Sequence, residues 1–545
     1  MRGLTMDFPL TLTHILRHNE RLYGQKEVVS RVGESLHRYT YADFQQRVRK
    51  LANVLRSLGV HKGDRVATFA WNHYQHLELY FAVPCAGAVL HTVNIRLFPE
   101  QLAYVFNHAE DRIVFIDSTL APLVEHVQDK LQTVEQYVVL GDGHISETTL
   151  TPTRAYEALM AEASDDFEFP ELDERETLGL CYTSGTTGNP KGVLYTHRAI
   201  FLHSVVSSMA GGLGLSEADV VFPVVPMFHA NAWGLPFSAV LCGAKLVFPG
   251  PFLQPRDLAQ LIQDENVTVA AGVPTLWIGL YHLLQNERYD IRHLRTMLVG
   301  GSAVPRALIE GFEKEFGVQI LHAWGMTEMA PLGTSAHLKS YMLDWPEEER
   351  FRVRAKQGVP APGVEMRIVD DQGNILPWDG QSVGELQVRG LWIASAYYHD
   401  PDASREAFTP DGWFRTGDVA TIDPEGFMEI TDRTKDLIKS GGEWISSVAL
   451  ENALMAHPKV MEASVIAVHH DKWQERPLAV VVPVPEQKGD LTKAELIEFL
   501  RSQVATWWLP DDIVFVEQIP KTSVGKFDKK ALRQQFGDYK SHDVG

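Results

Sequence analysis

The chain has 545 residues, of which 45% are apolar and 22% charged, and its formal charge is −20. At roughly 100–200 residues per domain this is two or more domains, and so acidic a balance argues against nucleic acid or an anionic membrane as the main partner. Cys85, Cys181 and Cys242 show no CxxC spacing, so neither a disulfide framework nor a zinc site is indicated and a reducing compartment fits.

At the start of the chain, Asp7, Pro9 and His14 interrupt the apolar run, which is not the pattern of a signal peptide. Thr40 to Asp43 resembles a capping box, and Phe44, Val48, Leu51, Leu55 and Leu58 then share one helical face. Gly59 closes that helix, and Arg65 to Ala70 reads as a buried strand. Helix-then-strand units recur around 98–117 and 256–272, which predicts α/β architecture. The apolar stretches 80–90 and 232–244 fall short of the ~18 residues of a membrane span, so no integral membrane segment is expected.

Between the strand-like segments Leu178–Tyr182 and Gly192–Tyr195, the residues Thr183 to Gly192 hold three glycines, a proline, four hydroxyls and one lysine. A linker seldom lies in mid-domain between buried strands. A Walker loop is excluded by spacing, because the fifth residue after Gly185 is Pro190 and Lys191 precedes a glycine. What remains is a hairpin-like loop whose amides and hydroxyls cradle phosphate oxygens, with Lys191 adding charge.

From 358 to 431 the pattern alternates in short strands (Val364, Met366, Ile368; Glu385 to Arg389) with turns at Asp371–Asn374 and Asp423–Gly426. The charged run Asp432 to Asp436 and the nearby Ser440-Gly441-Gly442 suit a hinge. Strands are expected at Val465–Val468 and Leu478–Val482, and a helix from the capping box at Thr492. The expected fold class is thus α/β: a large N-terminal domain (1–431) of α/β subdomains with a small β-rich layer, a hinge (432–437), and a small mobile α+β C-terminal domain (438–545).

The loop at 183–192 resembles the phosphate loop of the adenylate-forming superfamily, which includes acyl-CoA synthetases, luciferases and peptide-synthetase adenylation domains. Further motifs follow in family order: Gly300-Gly301-Ser302-Ala303, Trp324-Gly325-Met326-Thr327-Glu328, Trp413 to Asp418, Asp432 to Asp436, Gly441 to Ser446, and Pro520 to Lys526. Within the superfamily the chain is most similar to bacterial medium- and long-chain fatty acyl-CoA synthetases. The resemblance implies two steps: a carboxylate attacks the α-phosphate of ATP to give acyl-AMP and pyrophosphate, and coenzyme A then displaces AMP.

The resemblance also implies roles. Thr183, Ser184, Gly185, Thr186, Thr187, Gly188 and Lys191 would hold phosphates, and Glu328 with Ser184 would hold Mg²⁺. Ser302, His322, Ala323, Trp324 and Thr327 would bind ATP and AMP, with the stretch around Trp324 at the adenine; Trp324 stands where many relatives carry tyrosine, so stacking is its expected contact. Asp418 would accept from the ribose diol, and Arg433 and Lys435 would act at the hinge. Lys526 would serve adenylation as a flexible point charge, with Lys439 and Trp444 replacing it after domain rotation. His229, Trp233 and Gly301 fall at the acyl and coenzyme A sites, Trp233 matching a tunnel gate.

Residues 225–236 are apolar or small and lack the aspartate that amino-acid-activating relatives place there, and no carrier domain follows Lys526. Those absences favour an unsubstituted fatty acid and a free thiol. A methylthioalkanoate is isosteric with a medium-chain acid and is the second reading; a non-catalytic acyl-adenylate binder and an oxidative luciferase are alternatives on the same scaffold. A cytoplasmic enzyme is expected, and the family's habit is homodimeric.

Overall fold

The computed structural model describes residues 3–141, 148–183, 189–433, 436–440, 443–470, 472–487, 489–522, 527–537 and 539. Helix Tyr41–Ser57 opens on the expected box: the Asp43 amide donates to Thr40 Oγ1 at 3.3 Å, and the Thr40 amide donates to Asp43 Oδ2 at 2.9 Å. Its apolar stripe, with Phe44, Val48, Leu51 and Leu55, is fully buried. Gly59 takes φ +77° just beyond the helix, a conformation that glycine adopts without a Cβ clash.

Two mixed sheets dominate the N-terminal part. In the first, Thr153–Ala155, Gln136–Leu140, Ile113–Asp117, Arg65–Phe69, Val89–Thr92 and Thr177–Tyr182 lie parallel in that order, and Gly192–Thr196 closes the edge antiparallel. The second has a parallel centre of Gln319–Trp324, Thr296–Val299, Val269–Gly272, Val220–Pro223, Lys245–Phe248 and Glu27–Val32. The hairpin Glu27–Val32 and Ser35–Thr40 joins this second sheet, although the chain then runs directly into the first. That pairing spans more than two hundred residues and has no local signature. The near-continuous Val, Leu and Ile runs of the central strands match burial on both faces.

The alternating region folds as a four-stranded antiparallel sheet of Val364–Val369, Gly384–Gly390, Phe414–Ile422 and Met428–Arg433. Its last strand pairs Arg433 with Asp418, so the first two residues of the expected hinge are sheet residues. Beyond 437, strands Val460–His470 and Gln474–Pro483 form the centre of another sheet, joined by Asp512–Phe515 in parallel. Helix Lys493–Arg501 starts at Thr492, whose side chain accepts from the Glu495 amide at 3.2 Å. This C-terminal part has apolar clusters of its own around Val465, Leu496 and Ile513 and around Val480 and Leu532. Separate cores are what let two bodies move against each other.

Candidate active site

A cavity of about 500 Å³ lies at the carboxyl ends of the parallel strands. Val225, Val273, Gly300 and Trp324 line it just beyond or at the ends of four strands of the second sheet, and Thr183 does so beyond the first. Open α/β sheets place ligand sites at such ends. Two glycines are required by close approach. A Cβ on Gly300 would sit 2.6 Å from the Ala323 carbonyl oxygen, and one on Gly325 would sit 1.5 Å from that of Pro331.

The loop after Tyr182 returns as a hairpin: the Thr183 amide donates to the Lys191 carbonyl at 2.9 Å, and the Lys191 amide donates to Thr183 Oγ1 at 3.0 Å. Lys191 Nζ stands 4.9 Å from the centroid of the Tyr397 ring. Tyr397 in turn donates its hydroxyl to Glu328 Oε1 at 2.7 Å. Glu328 is buried and has no ion-pair partner among the described residues. Burial pushes its carboxyl above the usual range, against the Tyr397 hydrogen bond and the charges of Arg433 and Lys191. No group of three or more metal-binding side chains is found among the described residues. One buried carboxylate without a counter-ion fits a magnesium ion that takes its remaining ligands from phosphate oxygens and water.

Asp418 is buried and held at both oxygens. The Trp324 indole N–H donates to Oδ2 at 2.9 Å, and Arg433 Nε lies 3.0 Å from Oδ1. The Trp324 side chain therefore has a polar contact beyond the expected stacking. The neighbouring carboxylate holds the Arg433 guanidinium above its ordinary range.

The cavity wall also carries the apolar side chains of Trp233, Val225, Leu298, Leu321, Leu213 and Leu332. It includes a left-handed turn, with φ between 43° and 56° from Ala230 to Trp233. Left-handed backbone costs non-glycine residues roughly 1–2 kcal/mol each, so the surroundings hold this turn in place. Cys181 Sγ lies 3.6 Å from Asn231 Oδ1, and a Cβ on Gly300 would meet the Trp233 ring at 3.7 Å.

Of the residues expected at the site, Thr183, Lys191, His229, Trp233, Gly301, Ala323, Trp324, Thr327, Glu328 and Arg433 line this cavity. Asp418 lies against it through Trp324 and Arg433. Ser302 is exposed and is not part of the wall. His322 is buried and absent from the cavity wall: its Nδ1 pairs with the Ala355 carbonyl at 3.0 Å, and burial lowers its pKa to about 4. His322 and Trp324 share one parity of strand Gln319–Trp324, but His322 lies within the strand against helix Glu347–Ala355, whereas Trp324, at its carboxyl end, lines the cavity. Lys439 lies on strand Ile438–Ser440, is exposed, and is not part of the wall. Ser184, Gly185, Thr186, Thr187, Gly188, Lys435 and Lys526 lie outside the described residues, as does the side chain of Trp444.

Sequence reasoning missed Tyr397. A signal was present: Asp400 before Pro401 is a helix-start pattern, and Asp400 does cap helix Pro401–Ala407 by accepting from the Ala403 amide at 3.0 Å. The Tyr398 amide also donates to the Gly192 carbonyl at 2.8 Å, which ties this segment to the start of strand Gly192–Thr196.

Comparison with known proteins agrees with this geometry. Residues 16–398 match the AMP-binding enzyme family, and residues 449–526 match the AMP-binding enzyme C-terminal domain. A long-chain-fatty-acid–CoA ligase of Thermus thermophilus is 52% identical over 537 residues, covering 98% of this chain and 97% of the relative. A 3-methylmercaptopropionyl-CoA ligase of Ruegeria pomeroyi is 46% identical over 540 residues, covering 99% of each. The crystal structure of an anthranilate CoA ligase, AuaEII, in complex with anthranoyl-AMP superposes with a TM-score of 0.86 at 24% identity, over 97% of this chain and 98% of that one. By the family match, the coverage and the shared architecture, the chain belongs to the AMP-binding enzyme family.

Proposed function

We propose that the protein is a fatty acyl-CoA ligase acting on medium- or long-chain acids. It is an AMP-forming acid–thiol ligase: ATP and the acid give acyl-AMP and pyrophosphate, and coenzyme A takes the acyl group and releases AMP. The observation that carries this reading is one cavity with two chemistries. Its wall carries the charged side chains of Lys191, Glu328 and Arg433 and the apolar ones of Trp233, Leu298 and Leu321.

Glu328 would hold Mg²⁺, which neutralises phosphate charge when bound. Lys191 supports the phosphates, Asp418 accepts from the ribose, and Trp324 packs against the base. Residues 184–188 complete the phosphate cradle. Lys526 steadies the carboxylate and α-phosphate oxygens in the first step. The C-terminal domain, 438–545, then turns about 432–437 and brings Lys439 and Trp444 to the cavity mouth. Its separate core supports that motion. His229 and Gly301 border the path of the thiol, and Trp233 gates the acyl tunnel. The enzyme works as a homodimer in the cytoplasm, where its three cysteines remain free thiols. Among the described residues no helix is long and apolar enough to cross a membrane.

The 46% identity to a 3-methylmercaptopropionyl-CoA ligase favours a second substrate reading. The two are separated by coenzyme A-dependent AMP release with ATP, Mg²⁺ and straight-chain acids of two to eighteen carbons, with 3-methylthiopropionate alongside. A maximum at medium or long chains supports the first reading, and a maximum at the thioether acid supports the second. AMP binding without turnover of any acid would overturn both and leave a binding protein.

A further inference from the structure

We infer that Trp324 is a positioning residue for the ribose-binding carboxylate: its indole N–H orients Asp418 and thereby sets the preference for ribo- over deoxyribonucleotides. This rests on the nucleotide reading of the cavity. Asp418 is 2% exposed, and among the described residues Oδ2 accepts the Trp324 indole N–H while Oδ1 is ion-paired with Arg433. The indole N–H reaches Oδ2 at 2.9 Å, and Arg433 Nε stands 3.0 Å from Oδ1. A carboxylate oxygen accepts about two hydrogen bonds, so with one contact apiece among the described residues each keeps acceptor capacity. Two oxygens with that capacity match a vicinal diol.

The orientation of the indole is itself imposed. A Cβ on Gly333 would lie 2.7 Å from Trp324 Cε3 and Cζ3, so the six-membered ring packs directly on that backbone. The Gly333 amide also donates to the Trp324 carbonyl at 3.0 Å. Wedged there, the ring presents its N–H edge to Asp418 while the residue lines the cavity. The Asp418 backbone is tied as well, its amide donating to Thr416 Oγ1 at 3.0 Å. The carboxylate torsion is the remaining freedom, and the indole hydrogen bond together with the Arg433 ion pair restrains it. A phenyl ring at 324 would keep an aromatic face and lose the donor, leaving Asp418 held at one oxygen.

The test is calorimetric binding of AMP, 2′-deoxy-AMP and 3′-deoxy-AMP to the full-length protein and to Trp324→Phe, Asp418→Asn and the double variant. The unsubstituted protein should prefer AMP over each deoxynucleotide by about 10- to 100-fold, the worth of a hydrogen bond to a charged group. In Trp324→Phe the preference over at least one deoxynucleotide should fall below about threefold, with AMP itself bound about tenfold more weakly. On the Asp418→Asn background the same change should add less than about threefold, since coupled groups are not additive. Gly333→Ala displaces the ring without removing a donor and should reproduce the loss of sugar preference, which serves if Trp324→Phe does not fold. Equal weakening for all three nucleotides would overturn the positioning role and leave stacking alone. Failure of the unsubstituted protein to bind AMP would overturn the nucleotide reading itself.

Discussion

Glu328 is a carboxylate buried beside a tyrosine hydroxyl with no ion-pair partner among the described residues, and its charge is costly until a cation arrives. Its folded-state pKa is raised by burial, so the native state binds this proton more tightly than the unfolded chain. The charged form therefore costs stability in full above the folded pKa, and the cost shrinks as pH falls through that pKa and is gone below the unfolded-chain value. Glu328→Gln should lower magnesium-dependent adenylation by about 10²–10³, while the thermal midpoint of the ligand-free protein at pH 7 stays level or rises. A fall in both would mark a purely structural residue. Tyr397 favours the ionised form through its hydroxyl. Tyr397→Phe should move the acid limb of the pH–rate profile upward by about one unit, since a hydrogen bond to a charged group is worth about 1.5 kcal/mol or more. A downward shift would show that the hydroxyl acts otherwise.

At the scale of elements, the site depends on strand ends that approach one another without side chains between them. Gly300 ends strand Thr296–Val299 against the Ala323 carbonyl of strand Gln319–Trp324, with the Trp233 ring on its far side. Gly300→Ala places a methyl where 2.6 Å separates it from that oxygen, and overpacking of this kind costs about 1–3 kcal/mol. The displaced strand would carry Trp324 and narrow the cavity beside Trp233. The expected result is a lower thermal midpoint together with a shift toward shorter acids in the chain-length series; an unchanged preference would remove Gly300 from the acyl wall. The left-handed turn Ala230–Gly234 is a different case. Its sequence carries one glycine, and nothing local in Ala230, Ala232 or Trp233 asks for positive φ. Packing imposes the turn, which is why apolarity alone read this stretch as part of a pocket wall and missed its shape.

The whole molecule is a large body and a small one with separate cores, joined where Asp432 crosses between them. Asp432 Oδ2 accepts from the Ser447 amide at 2.7 Å and from its hydroxyl at 2.6 Å, while its own strand pairs with Phe414–Ile422 in the large body. Lys529 adds a hydrogen bond of 2.6 Å to the same Ser447 hydroxyl. If the small body serves the two steps from different faces, its two lysines separate by step. Lys526→Ala should slow acyl-AMP formation by about 10²–10³ yet pass supplied acyl-AMP to coenzyme A at near the normal rate, and Lys439→Ala should do the reverse. Equal loss in both steps would count against rotation. The chain by itself determined the fold class, the helix caps at Thr40 and Thr492, the strand pairing on either side of 184–188 and ten of the residues that line the cavity, because caps, turns and motif spacing are local chemistry. Only the tertiary structure decided that His322 turns away to Ala355, that Tyr397 meets Glu328, that residues 27–40 join the distant sheet, and that an indole N–H holds Asp418. Those contacts join segments from 33 to more than 200 residues apart, and their directions are set by sheet order and packing, which no short stretch of sequence records.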